Sequence, residues 1–257
     1  MKNKLKNELA VCGIEAVKAL ERNNFEKIKR FYFNEEKKTY FGGLCKKLSK
    51  SKIPYNLVAD AELEKICGSV HHQGVVAMIE TPKIEPLSND IVDLWVEHNE
   101  SALLLDRVGN ANNLGAIVRS AAFFGFKNII IPLDEAQSSI TTSSYRVAQG
   151  GMEFVNIYSI KSIPNLLKAI KGKFVRLGTD VNASKKVDSI NSIRKGKPVL
   201  IVLGNEEHGI SEEVKQNCDE LIIIPYTRDS SNSLKKRPIE SLNVAQAAAI
   251  VLYECRK

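Results

Sequence analysis

Apolar and polar positions follow two different rhythms along this chain. Over the first eighty residues, short apolar runs break up helical patterns. Residues 12–23 (Cys-Gly-Ile-Glu-Ala-Val-Lys-Ala-Leu-Glu-Arg-Asn) predict an amphipathic helix, followed by a strand at Lys29–Phe33. A helix around Tyr40–Leu48, a strand at Tyr55–Ala59, a short helix at Ala61–Cys67 and a strand at Gln73–Glu80 complete a small α/β sandwich. Phe31 and Phe33 fall on one strand face and are expected to be packing. The segment Thr81–Asp90 is Pro-rich, polar and aperiodic, and reads as the start of a linker over residues 81–99.

After the linker the runs become continuous. Ala102–Asp106, Asn128–Ile131, Phe154–Tyr158, Phe174–Thr179, Val199–Leu203 and Leu221–Ile224 predict strands. Helices are expected at Asn113–Phe124 and at about 143–149, 162–171 and 210–217. Unbroken apolar strands between helices mean a parallel sheet covered on both faces. The chain closes on a run that is apolar from Val244 to Tyr253. Ala245, Ala248, Ala249 and Leu252 keep helical spacing, while Val244, Ala247 and Val251 fill the other side. A helix apolar nearly all round is expected to be buried. Ser241 and Asn243 open it and suit capping, with Gln246 completing a capping-box variant.

Composition changes the picture in one place. The 257-residue chain carries a net charge of +7, and residues 1–50 alone hold thirteen Lys/Arg against six Glu. A basic lobe beside a neutral one points to an anionic partner, with nucleic acid as the leading class. Phe31, Tyr32, Phe33, Tyr40 and Phe41 lie among those lysines and arginines, a mixture suited to phosphate contacts with base stacking. The five cysteines are scattered with no C-x-x-C pair, which argues for reduced thiols and against a zinc site. No secretory signal and no transmembrane run is expected.

Three segments place glycines and polar residues at the carboxyl ends of strands, where open α/β sheets bind ligands. The first, Leu105–Gly125, contains Asn113 and, six residues on, Arg119 in an otherwise apolar helix. Their structural alternatives are an N-cap for Asn113 and snorkelling to a surface carboxylate for Arg119. The second is Val199–Glu213, where Gly204 and Gly209 bracket a loop holding Glu206, Glu207 and His208, with Ser211 as a candidate N-cap. It is neither G-x-G-x-x-G nor a Walker A loop. The third runs from Leu221-Ile-Ile-Ile-Pro-Tyr226 through a loop with Lys235-Lys-Arg237 to Ser241. No hydrolase triad and no catalytic metal motif occurs.

In this order the three segments resemble the motifs of the SpoU/TrmH branch of the SPOUT RNA 2′-O-ribose methyltransferases. Asn113-Leu-Gly-Ala-Ile-Val-Arg119 resembles motif 1, Leu203-Gly-Asn-Glu-Glu-His-Gly-Ile210 motif 2, and Ile224-Pro with Ser241-Leu-Asn-Val-Ala245 motif 3. The amino-terminal part is similar to the L30e-like substrate-binding domain of that family, from Gly13-Ile-Glu-Ala-Val to His72-Gln-Gly-Val-Val-Ala77. The resemblance implies an RNA-binding domain over residues 1–80 and a SPOUT domain with a deep trefoil knot over 100–257. It implies S-adenosylmethionine as cofactor, a cytoplasmic homodimer, and RNA (ribosomal or transfer) as substrate. Leu177, Thr179, Gly204, Ile224 and Leu242 would bind the cofactor. Arg119, Asn113, Glu206, Ser241 and Asn243 would form the catalytic group. Lys and Arg are not expected beside a cationic sulfonium. The Tyr226–Glu240 segment is longer than in most relatives and leaves the substrate open. A non-catalytic RNA-binding or assembly factor keeping the fold is the second reading.

Overall fold

A computed structural model describes residues 7–134, 137–205, 207–226 and 241–256. The chain forms β1 (Glu8–Cys12), α1 (Ile14–Asn23), β2 (Ile28–Phe33), α2 (Gly42–Lys50), β3 (Tyr55–Leu57), α3 (Asp60–Cys67) and β4 (Val75–Glu80). It continues with β5 (Glu85–Pro86), α4 (Asn89–Glu97), β6 (Ala102–Leu105), α5 (Ala111–Phe124), β7 (Asn128–Pro132) and α6 (Thr142–Ala148). There follow β8 (Asn156–Ile160), α7 (Ile163–Ala169), β9 (Val175–Thr179), β10 (Lys185–Lys186) and α8 (Ile190–Arg194). Last come β11 (Val199–Leu203), α9 (Glu212–Gln216), β12 (Glu220–Ile223) and α10 (Val244–Arg256). Two compact units result, one of residues 1–83 with 139–154, the other of 84–138 with 155–257.

The first unit is a four-stranded sheet in the order β1-β4-β2-β3, antiparallel except for the β2/β3 edge. Its core lies on both faces. Phe31 stacks on Phe33 at 5.4 Å and meets Phe41 at 5.5 Å, so all three are packing, while Tyr40 stays exposed. Ala10, Cys12, Leu63, Cys67, Val76 and Met78 fill the other side. The helix expected from Cys12 starts two residues later. Glu8–Cys12 pairs with β4, and Gly13, at φ 99°, turns the chain into α1.

Segment 139–154 was expected to belong with the large sheet, yet it packs into this unit. Thr141 and Ser144 form a capping box at the start of α6. Gly150 sits against α1 so closely that a Cβ there would lie 2.7 Å from Ala19 Cβ and 3.1 Å from the Glu15 carbonyl. Glu153, its side chain buried, accepts from Asn24 Nδ2 at 2.5 Å and lies 3.6 Å from Lys27 Nζ, while its Oε1 has no partner among the described residues. Burial outweighs these partners and raises the Glu153 carboxyl above its ordinary value. A raised folded-state acid costs stability once ionised, so its penalty is absent below the ordinary carboxylate pKa and grows as pH rises through it. Glu153→Gln is therefore expected to raise Tm by about 2 °C at pH ~8 and to change it little at pH ~4, as read by calorimetry.

The second unit is an eight-stranded, all-parallel sheet in the order β10-β12-β9-β11-β6-β7-β8-β5. Strands β6, β7 and β11 are buried along their whole length, as their unbroken apolar sequences require. The order reverses between β6 and β11, and crevices outside the carboxyl ends of such strands are where these sheets bind ligands. The expected linker holds more structure than its prolines suggested. Pro86 lies on the edge strand β5, and Ser88 caps α4, which buries Trp95 against Tyr158. Residues 227–240, which include the Lys235–Arg237 loop and on which the expected knot depends, lie outside the described residues.

Candidate active site

At the carboxyl ends of β9, β11 and β12 the second unit contains a cavity of about 610 Å³, within the range of nucleoside-sized ligand pockets. Its apolar wall is Leu203, Ile210, Ile222, Ile224, Leu242 and Val244. Thr179, Gly204, Ile224 and Leu242 all line it. Leu177 does not line the cavity and is fully buried. It lies one pleat repeat deeper than Thr179, roughly 6.6 Å from the strand's open end. The Thr179 hydroxyl donates to the Val202 carbonyl at 3.1 Å.

Gly204 has a role beyond permitting ligand approach. A Cβ on it would lie 2.3 Å from the Gly209 carbonyl carbon and 2.4 Å from the Ile210 nitrogen, because the loop crosses directly over it. Asn205 fixes that crossing. Its Oδ1 accepts from the Glu207 and His208 amides at 2.9 and 3.1 Å, its carbonyl accepts from Gly209 N–H, and its Nδ2 donates to the Arg107 carbonyl at 3.0 Å. Glu206 lies outside the described residues.

Sequence reasoning missed Asp180 and Lys215, both on the lining and bonded at 2.7 Å. The available signal was Asp180 directly after an apolar strand, but its partner comes from another helix. Burial pushes the Asp180 carboxyl up. The Lys215 hydrogen bond, the Asn182 amide and the lysine's charge outweigh that and hold it below the ordinary value. Asp180 and Glu212 together raise Lys215. A lysine thus does stand at this cavity, contrary to expectation, but two carboxylates balance it. With Glu207 also on the lining, the walls suit a ligand that is part apolar and part cationic.

Asn113 and Asn243 meet where α5 and α10 begin. Asn243 Nδ2 donates to Asn113 Oδ1 at 3.1 Å, while Asn243 Oδ1 caps α10 by accepting from Ala245 N–H at 2.9 Å. One side chain thus both caps α10 and reaches Asn113. Asn113 is not the N-cap of its own helix. Asn110 has that role, accepting from the Asn112 amide at 2.8 Å, and Asn113 stands on the first turn. Ser241 and Leu242 lead into Asn243 from the cavity lining.

Arg119 stands elsewhere. It is exposed on α5 and forms no ion pair among the described residues, so it does not snorkel to a surface carboxylate. Six helical positions place it about 9 Å along the axis from Asn113 and roughly 120° around it. One turn further on, Phe123 is 78% exposed. Phe124 bridges Phe123 and Tyr253 with ring centroids 5.1 and 6.2 Å apart, and Ile250 and Tyr253 share an exposed stripe of α10. The closing helix, expected to be buried all round, therefore has an uncovered apolar face beside Arg119.

Residues 100–253, more than half of the chain, match the SpoU rRNA Methylase family. The chain belongs to that family. Residues 10–85 of this SpoU protein match the family described as RNA 2′-O ribose methyltransferase substrate binding. It is 33% identical over 198 residues to the 23S rRNA (guanosine-2′-O-)-methyltransferase RlmB of Acinetobacter baylyi, covering 76% of this chain and 75% of that protein. It is 28% identical to the RlmB of Bordetella pertussis over 95% of both chains. An uncharacterized tRNA/rRNA methyltransferase of Haemophilus influenzae is 28% identical over 95% of this chain, which spans 65% of that protein. The fold matches the SpoU methyltransferase AviRb of Streptomyces viridochromogenes in complex with AdoMet, at TM-score 0.74 and 22% identity over 97% of this chain and 90% of that one. No group of His, Cys, Asp or Glu among the described residues could hold a metal ion, and no described helix is long and apolar enough to cross a membrane.

Proposed function

We propose that this SpoU protein transfers a methyl group from S-adenosylmethionine to a ribose 2′-hydroxyl in structured RNA, ribosomal or transfer. The observation that carries the reading is the Asn113–Asn243 bond beside a cavity whose Gly204 floor and apolar walls suit an adenosyl group. Thr179, Gly204, Ile224 and Leu242 would hold the cofactor, with Asp180 and Glu207 facing its polar end. When bound, S-adenosylmethionine supplies an electrophilic methyl group on a sulfonium.

The chain's own task is to make a poor nucleophile attack in line. The two asparagines, locked to each other and to the start of α10, orient the 2′-hydroxyl. Arg119 binds the phosphate beside the target ribose, and that phosphate or Ser241 takes the proton as the oxygen attacks. Glu206, which lies outside the described residues, keeps only the place in the catalytic group that the family resemblance implies.

The exposed Phe123, Ile250 and Tyr253 support a homodimer that covers α5 and α10. Arg119, at the border of that patch and turned away from Asn113, then serves the partner's site. The basic amino-terminal unit, with Tyr40 exposed between Lys37, Lys38 and Lys46, holds the RNA. We further propose that the carboxyl-terminal segment is knotted and that the protein works in the cytoplasm.

The test is a calorimetric titration with S-adenosylmethionine, paired with mapping of 2′-O-methyl sites in cells with and without the protein. Saturable one-site binding and one lost RNA methyl site are expected. Absence of both leaves an assembly factor that keeps the fold.

A further inference from the structure

We propose that Gln137 is a positioning residue for methyl transfer, acting through the backbone of Val108. The inference rests on the methyltransferase reading and assigns a task to a residue outside all three motifs. Gln137 follows β7 and is buried, yet it is polar. Its Oε1 accepts from the Val108 N–H and its Nε2 donates to the Val108 carbonyl, each at 3.0 Å. The Ser138 amide adds a second bond to the same carbonyl at 2.9 Å. A side-chain carboxamide here does what a neighbouring strand would do for an extended residue.

The need for such a clamp lies in the loop it grips. Residues 106–110 leave the sheet at the end of β6, and Arg107 takes a left-handed conformation at φ 58° that non-glycine residues rarely adopt. Val108 is fully buried, so its peptide groups must find partners inside the protein. The preceding carbonyl, that of Arg107, is held from the cavity side by Asn205. Successive peptide groups are thus fixed by two side chains, one from the Gly204 loop and one from beyond β7. The segment so fixed delivers Asn110 as the cap of α5 and, one turn later, Asn113 against Asn243. Gln137 lines no part of the cavity, so it affects the reaction through Asn113 and not through the cofactor.

A carboxamide offers a donor and an acceptor on separate atoms at every ordinary pH. A methionine keeps the volume and loses both bonds, while a glutamate keeps the acceptor and regains the donor when protonated. The experiment uses the full chain, S-adenosylmethionine, and total RNA from cells lacking the protein. Gln137→Met is expected to lower kcat about tenfold, the scale of one buried hydrogen bond lost in the transition state. Its Kd for S-adenosylmethionine should stay within about threefold of wild type. Gln137→Glu is expected to be impaired at pH ~8 and to recover relative to wild type toward pH ~5.5.

A Gln137→Met kcat within about twofold of wild type overturns the proposal. So does an equal fall in kcat and cofactor affinity with no low-pH recovery in Gln137→Glu, the signature of general loosening. Wild-type protein that binds S-adenosylmethionine but methylates no RNA overturns the functional reading beneath it, a result distinct from both.

Discussion

Replacing Gly204 by alanine is expected to abolish S-adenosylmethionine binding and to lower Tm by about 10 °C, on the order of 3 kcal/mol. The clash is with backbone atoms of Gly209 and Ile210, which cannot rotate aside as a side-chain tip would. Relief requires lifting the loop from β11, and the loop is tied through Asn205 to the Arg107 carbonyl. The disturbance therefore reaches the cavity wall at Ile210 and the approach to α5 together. Gly209→Ala is the useful companion. Nothing lies within 4 Å of its added Cβ, so only the left-handed φ of 65° opposes it, and its cost should be near 1 kcal/mol. Calorimetric titration and thermal unfolding of both variants decide the matter. Cofactor binding by Gly204→Ala within about threefold of wild type would contradict this account.

Arg119→Ala is expected to lower methylation about a hundredfold or more, the scale of losing a charged donor to a reacting phosphate group. Because Arg119 is exposed and unpaired among the described residues, stability should change by less than about 0.5 kcal/mol and cofactor affinity hardly at all. That separation between activity and folding distinguishes a catalytic arginine from a structural one. Its position relative to Asn113 adds a second expectation. If Arg119 serves the partner's site, mixing inactive Arg119→Ala and Asn113→Ala subunits rebuilds one complete site in each mixed dimer. Random exchange then restores about a quarter of wild-type activity. No recovery after verified exchange would place Arg119 in its own subunit's site.

The large sheet was legible because fully buried parallel strands are written as unbroken apolar runs, and Val199–Leu203 or Asn128–Ile131 admit little else. The loop glycines were legible too, though Gly204 serves a crossing of its own chain that only coordinates reveal. β1 was lost because Glu8–Cys12 is short and runs into a stronger helical pattern, so that the turn at Gly13 was read as part of the helix. α4 was hidden by Pro82 and Pro86, which signal loops even where one lies on an edge strand and a capped helix follows.

Registry also escaped. An apolar strand end does not say whether Leu177 or Thr179 reaches the mouth of the cavity. Contacts between separate elements, such as Asp180 with Lys215, have no local signal at all. The exposed stripe on α10 escaped for a different reason. An all-apolar helix was read as buried, and Ile250 and Tyr253 show a face that one chain leaves uncovered.

The hydrogen bond between Asn113 and Asn243 joins residues 130 positions apart, and this separation governs when the pair can form during synthesis. Everything the first unit needs has been translated by residue 154. The asparagine pair cannot close until α10 has left the ribosome. At roughly 5–20 residues per second the intervening hundred residues take several seconds or more, and pairing at such distance is slow to find. A chain interrupted between these points thus holds every residue of the first unit and lacks the asparagine pair. A frameshift between residue 154 and α10 would spare the whole of the first unit while removing Asn243 and its bond to Asn113.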